Sequence, residues 1–574
     1  MDAENSMSIM EIEPRSDYLG EIYGMEPHEF VQAGKGLMEY IVKFISSLRS
    51  QPAVAKVAFG YLRPMIPEKS PNKPEDWDKI MDDFDRLISP GVQSFLHPRF
   101  VSYFPLGSSF PSILGEALIA SLGTLAFSVE AAPAATELEN ICLDWMAKAT
   151  GLPDFFLFKS KKGGGCMQPS ASDVMMVIML SARHNAIQKY KKKNPQMSET
   201  DILGKLVMYS SEETHSCVRK GAKLCLINHR VLPTDDRFRF RGATLEKAIK
   251  ADKEKGLYPF LAFATIGTTS TASVDAIDEL GKVCKREDLY FHVDGAYGGC
   301  FMICPEYRHF LKGIEYVDSY NFNPNKNLLV APDSSLMWVR NKKNHTSAFM
   351  IDAAYLNDED TEDSAQYYDY RNWGIALSRR FRALKLWFVM RKYGVSGLQE
   401  HIRRNVAVAR VFEELIRKDD RFEIFNDVNM SLVCIRLKGS DPLNEKLFEM
   451  VRETHAVFLS QTMVKNQFVI RVSVDSPHAT GADMKDIYKI ISKQASELLD
   501  DLKLKGKIGT ISIQKQGESS GNPDGTSQID KIEAPKPSGS GNLARELPGK
   551  TSRPDSYGEH LPTGDLGHLI SPFN

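Results

Sequence analysis

The sequence predicts an α/β protein with a mostly parallel sheet, an N-terminal helical arm and a small C-terminal α+β domain. Two observations carry this reading. Between about residues 113 and 400, apolar runs alternate with helical patterns, and apolar strands joined by helical crossovers make a parallel sheet. The segment Phe291-His292-Val293-Asp294-Gly295-Ala296-Tyr297-Gly298-Gly299 then puts a carboxylate just past one such run, the place where open α/β sheets bind ligands. A chain of 574 residues is in any case too long for one core.

In chain order, residues 1–24 carry six acids against Arg15 alone and no long apolar run. They read as a flexible extension, not a secretory signal or transit peptide. Residues 25–112 read as the arm: Leu37, Ile41, Phe44, Ile45 and Leu48 recur at helical spacing, and proline-rich text follows at 63–67 and 69–74. Such a helix needs another surface to cover its apolar stripe. Residues 113–400 form the large α/β domain, with strands expected at 206–209, 259–266 and 289–293 and helices at 244–255 and 275–287. Residues 401–505 form the small domain, a helix leading into strands at 422–425, 432–437 and 468–474 and a last helix. Residues 506–574 contain Gln-Gly-Glu-Ser-Ser-Gly-Asn-Pro-Asp-Gly and read as a disordered tail.

Composition narrows the function. A formal net charge of −2 gives no reason to expect nucleic acid or an anionic membrane surface as partner. No run of about eighteen apolar residues suggests a membrane span. The eight cysteines are scattered through apparent core segments without CxxC or zinc-finger spacing, so reduced thiols, a cytoplasmic location and no metal are expected.

The residues that carry chemistry lie at strand ends. A strand-end aspartate commonly just caps a turn, but glycines surround Asp294, and small residues let a flat ring approach. Most lysines are solvated, yet Lys326 sits in Asn323-Pro324-Asn325-Lys326 between apolar residues, a frame that lowers the cost of a neutral, nucleophilic amine. Together they are what pyridoxal 5'-phosphate requires: a carboxylate for the pyridine nitrogen and an amine for the Schiff base. Gly163-Gly164-Gly165 followed by Ser170-Ala171-Ser172-Asp173 offers a phosphate cradle at a helix start, although an ordinary N-cap reads the same way. His215 follows another strand, where an imidazole can stack on a ring. Tyr355 lies in a polar stretch, residues 352–369, that reads as a lid able to bring a proton donor to a carbanion.

Ordered motifs from about residue 25 to 502 resemble the group II pyridoxal-phosphate-dependent amino acid decarboxylases, the aromatic-L-amino-acid and histidine decarboxylase family. They are Gly60-Tyr61-Leu62-Arg63-Pro64, His97-Pro98, Tyr103-Phe104-Pro105, Thr136-Glu137-Leu138-Glu139, His292-Val293-Asp294 and Arg379-Arg380-Phe381-Arg382. The resemblance implies an aspartate aminotransferase-like (fold type I) homodimer whose arm wraps the partner. It implies that Lys326 holds the cofactor, Asp294 its ring nitrogen and His215 its ring face, with Ala296 packed on the ring and Thr269 beside it. Ser170, Ala171, Ser172 and Asn323 would take the phosphate, and Tyr355 would return the proton. Tyr103, Phe104, Leu106, Leu125, Phe127 and Ser378 would line the substrate pocket, Leu125 and Phe127 from across the dimer.

The implied reaction removes CO₂ from an aromatic or imidazole L-amino acid: L-histidine, L-DOPA, 5-hydroxytryptophan or tyrosine. Ser378 and Leu106 lean toward L-histidine, because histidine decarboxylases in the family carry serine at the first position and catechol-preferring members carry threonine at the second. The chain departs from the family at Pro169, Val129, Asn325 and Asn327, the last two flanking the lysine where histidine or serine and then tryptophan are usual. Two rival readings stay open: a catalytically impaired regulatory dimer, motivated by those departures, and an aldehyde-forming deaminase. Relatives of the latter kind replace the stacking histidine or the lid tyrosine, and both are kept here.

Overall fold

The apolar runs become a seven-stranded sheet. The protein, seen here as a computed structural model, is described over residues 19–350, 369–504 and 506. The strands are β1 Gly164–Gln168, β2 Leu206–Ser211, β3 Asn228–Leu232, β4 Tyr258–Thr265, β5 Tyr290–Asp294, β6 Ser319–Phe322 and β7 Ser335–Val339. Their order is β1-β7-β6-β5-β4-β2-β3. β7 runs antiparallel to both neighbours, and β2 to β6 pair in parallel. β2 and β5 are buried almost throughout while edge strand β3 is only partly buried, as expected of a sheet covered on both faces. The helices at Gly242–Glu254 and Ile277–Glu287 fall where the 3.6-residue pattern predicts them.

The strand β1 corrects one expectation. Gly163, Gly164 and Gly165 are not a phosphate cradle; the last two begin a fully buried strand. A Cβ on Gly163 would lie 2.0 Å from Phe155 O, and one on Gly165 would lie 2.4 Å from Met337 O. Their smallness serves close packing. The same holds for the glycines after Asp294. A Cβ on Gly298 would sit 2.4 Å from Ile266 O and one on Gly299 would sit 2.4 Å from Phe322 Cβ, so they let the chain turn against neighbouring strands.

A second sheet, fully antiparallel, has the order β10-β11-β9-β8, with β8 Phe422–Ile424, β9 Leu432–Leu437, β10 Ser460–Val464 and β11 Gln467–Ser473. The pattern reading missed β10, which is half exposed. Its hairpin to β11 turns on Lys465 and Asn466, both at positive φ, the two-residue turn that matches strand twist. Helices Asp441–Glu453 and Gly481–Leu504 pack on this sheet around a second apolar core containing Val433, Ile435, Leu447, Ile470 and Ile487. A helical run, Ala383–Arg417, broken at Gly394, contributes to both cores.

The helix Pro27–Ser47 buries no residue fully. The helix Phe110–Ser121 leaves Phe110, Leu114 and Leu118, with Leu122 just beyond, each 43–52% exposed. These recur every four residues and form one apolar stripe. The expectations for residues 1–18, for the lid with Tyr355 and for the tail beyond 506 lie outside the described residues. Among the described residues no helix is long and apolar enough to cross a membrane, and no group of three His, Cys, Asp or Glu side chains could hold a metal ion. All eight cysteines are buried and free.

Candidate active site

The parallel strands all deliver chemistry at the same end. Ser170 follows β1, His215 follows β2, Thr269 follows β4, Asp294 ends β5, and Asn323 and Lys326 follow β6. Strand direction alone thus collects on one rim six residues spread over more than 150 positions of sequence.

Lys326 sits in the one-turn helix Pro324–Asn327. Its N–H donates to Asn323 O at 3.0 Å. Burial pushes the amine's pKa down; Asp294 opposes, followed by Cys300, Cys217 and Asp475. The amine lies 5.3 Å from the centre of the Phe104 ring. The turn is not framed by apolar side chains alone, as the sequence suggests. Asn327 Nδ2 donates to Asp475 Oδ1 at 2.9 Å, the Cys300 thiol donates to Asn323 O at 3.1 Å, and Gly107 N donates to Asn325 O at 2.7 Å. The last contact brings the segment carrying Tyr103, Phe104 and Leu106 against the lysine turn.

Asp294 is 3% exposed, and its Oδ1 accepts from Ala296 N at 2.8 Å. Behind it His292 is fully buried between Ser319 Oγ at 2.7 Å and Asn321 Oδ1 at 3.0 Å, and burial lowers its pKa to about 4. His292 is therefore a neutral support of the strand. His215 caps the helix Ser216–Leu224, its Nδ1 accepting from Cys217 N at 3.2 Å. That acceptance leaves the neutral ring's proton on Nε2, and burial, partly offset by Asp294, lowers the ring's pKa.

Ser170 is the N-cap of the long helix Ala171–Lys193: its Oγ accepts from Asp173 N at 3.3 Å and donates to Asp173 Oδ2 at 2.6 Å. Ala171 and Ser172 lie in the first turn, whose N–H groups have no partner within the helix. Asn323 keeps its side-chain oxygen on Ser335 Oγ at 2.7 Å, which orients its amide. Thr269 lies in the partly buried turn after β4.

The remaining pocket positions fall in two groups. Phe104 is buried and stacked on Tyr297, ring centres 3.6 Å apart, while Tyr103 is exposed. Leu125 and Phe127 lie on a segment tied to the one carrying Ser378, since Ala126 N donates to Arg379 O at 2.9 Å and Arg371 N to Phe127 O at 2.8 Å. Leu125 and Ser378 are exposed. Arg379 anchors this region: it is buried, donates to Glu139 Oε1 at 2.7 Å and to Met167 O at 2.9 Å, and so binds the 379–382 motif to β1. Sequence reasoning missed Asp475 as a partner of the lysine turn, and Tyr297 as the ring stacked on Phe104 beside it. The replacement of the usual tryptophan by Asn327 was the one available signal.

This donor set fits pyridoxal phosphate. It offers an amine of lowered proton affinity, a buried carboxylate, an open imidazole and a helix N-terminus flanked by hydroxyls. Comparison with known proteins agrees. The family profile described as the pyridoxal-dependent decarboxylase conserved domain matches residues 60–438. An aromatic-L-amino-acid decarboxylase of Manduca sexta is 42% identical over 485 residues, 84% of this chain and 94% of that protein. The crystal structure of Catharanthus roseus tryptophan decarboxylase in complex with L-tryptophan is 36% identical, with a TM-score of 0.77 over 83% of this chain and 99% of that one. The Rhodiola rosea 4-hydroxyphenylacetaldehyde synthase structure is also 36% identical, with a TM-score of 0.76 over 83% and 99% of the two chains.

Proposed function

Since the chain belongs to the pyridoxal-dependent decarboxylase family and is a pyridoxal-phosphate-dependent carboxy-lyase, we propose that it converts an aromatic L-amino acid to the corresponding amine and CO₂. The observation that carries this is the pairing of Lys326 and Asp294 on one rim of the sheet, in a chain whose relatives include aromatic-L-amino-acid and tryptophan decarboxylases. Bound pyridoxal phosphate supplies the electron sink that makes loss of the carboxylate possible. Lys326 would hold the cofactor through its buried amine. Asp294 keeps a proton on the ring nitrogen. His215 would face the cofactor ring, and Ser170, Ala171 and Ser172 would hold its phosphate at the helix N-terminus. Phe104, beside the amine, offers a flat wall to an aromatic side chain. Tyr355 returns the proton to the α-carbon.

The working form is a homodimer. The exposed stripe of Phe110, Leu114, Leu118 and Leu122, together with the exposed Leu125, supports this: contiguous apolar surface of that kind marks an interface. Ser378 favours L-histidine as a second reading, because a hydroxyl offers the imidazole nitrogen a partner.

The test is incubation with pyridoxal phosphate and L-DOPA, 5-hydroxytryptophan, tyrosine, tryptophan and histidine, singly and in competition, with products identified. Aromatic amines are the expected products. Aldehydes in their place would overturn decarboxylation as the net reaction. Exclusive turnover of histidine, lost in Ser378→Gly, would replace the aromatic reading with the imidazole one.

A further inference from the structure

Asp475 is buried just beyond β11 and is not among the groups given a role above. Four groups surround its carboxylate: Ser431 Oγ, Ser473 Oγ and Asn327 Nδ2 at 2.9 Å donate to it, and Tyr297 Oη lies 2.9 Å from Ser431 Oγ and 3.4 Å from Asp475 Oδ1. A carboxylate needs such a shell to be held in a dry interior. Two of the four lead to the reactive amine. Asn327 is the residue after Lys326, and its own Oδ1 accepts from Asn405 Nδ2 at 3.4 Å, so it is held from two sides. Tyr297 stacks on Phe104 at 3.6 Å with 13° between the rings, and the Phe104 ring faces the Lys326 amine. One route runs along the backbone and the other across two stacked rings. They meet at a single carboxylate supplied by the second sheet's end of the chain.

We propose that Asp475 is a positioning residue of the active site, holding the Lys326 turn through Asn327 and the Phe104 wall through Tyr297. The proposal rests on the reading of Lys326 as the cofactor-holding amine.

The experiment follows cofactor attachment in the full-length protein. Protein and pyridoxal phosphate are mixed, borohydride is added at intervals, and label on Lys326 is read by peptide mass. Asn327→Ala and Asp475→Asn are each expected to slow labelling about tenfold or more, since small displacements of a reacting group are costly. Their combination is expected to be no slower than the slower single variant, because both break one linkage. Asn327→Gln, which restores an amide, is expected to recover part of the rate. Asn327→Leu, which refills volume alone, is expected not to. Labelling at the wild-type rate in Asn327→Ala, equal rescue by Leu and Gln, or fully additive losses would each overturn the proposal, and the Asn327 series stands even where Asp475→Asn does not fold. Wild-type protein that takes no label on Lys326 overturns the reading beneath the proposal, a different result from labelled wild type with unaffected variants.

Discussion

At Lys326 two effects compete. Burial disfavours the ammonium and wins, while the Asp294 carboxylate opposes it. A lysine whose pKa falls on folding sheds its proton at lower pH than the free side chain, ordinarily near 10.5. Attachment of the cofactor by the neutral amine should therefore rise with pH through an inflection below 10.5, read as borohydride-fixed label against pH. Asp294→Asn removes the group that favours the ammonium, so its inflection should move further toward acid; a move toward base would refute the assigned balance. Linkage gives the matching stability effect. Between the folded and unfolded pKa the unfolded chain binds the extra proton, so the cofactor-free protein gains stability as pH rises through that window and lacks the gain below it. Asp294→Ala should also cut kcat by on the order of 10²–10³, the usual loss when a preorganised charge is removed from a developing one. Near-normal turnover in that variant would assign the ring nitrogen to another group.

At the scale of the element, the turn from β5 into the following 3₁₀ segment is packed more closely than any side chain allows. Gly298 N donates to Ile266 O at 3.2 Å, the same oxygen a Cβ at 298 would meet at 2.4 Å. Gly298→Ala should therefore push Asp294's turn away from β4 and cost about 1–3 kcal/mol, the range for overpacked sites. Chemical denaturation measures it, and an unchanged midpoint would show that the turn can yield. The sequence reading asks for glycine here to admit a flat ring, and the structure adds a second reason. The neighbour that cannot be crowded is the adjacent strand.

For the whole molecule, the stripe on the helix Phe110–Ser121 is the surface on which the proposed dimer can be tested. Leu118 is 43% exposed, and an aspartate in its place would put a charge on the apolar stripe that a second subunit is proposed to cover. If the proposed dimer holds, Leu118→Asp should shift the protein from dimer to monomer in sedimentation and reduce activity with it, because on that proposal Leu125 and Phe127 serve a second subunit's site. A monomeric variant with full activity would mean that each chain builds its pocket alone.

What the sequence determined by itself is local or directional. Strand and helix periodicity places β2, β4, β5, β8, β9 and β11 within a few residues, since burial on both faces writes continuous apolar runs. The position of Asp294, His215 and Lys326 just past such runs already puts them on one rim, because parallel strands share a direction. Short or polar strands such as β1, β6 and β10 escape this reading; Gly164-Gly165 reads as a loop until β7 is seen pairing with it. Only the tertiary structure decided that Asp475, 149 positions beyond Lys326 in the chain, shares its surroundings, and that Asn327 has a buried partner waiting for it. Such contacts have no period and no motif. They exist because the packing of two sheets brings distant polar groups into one dry interior, where each must find the other.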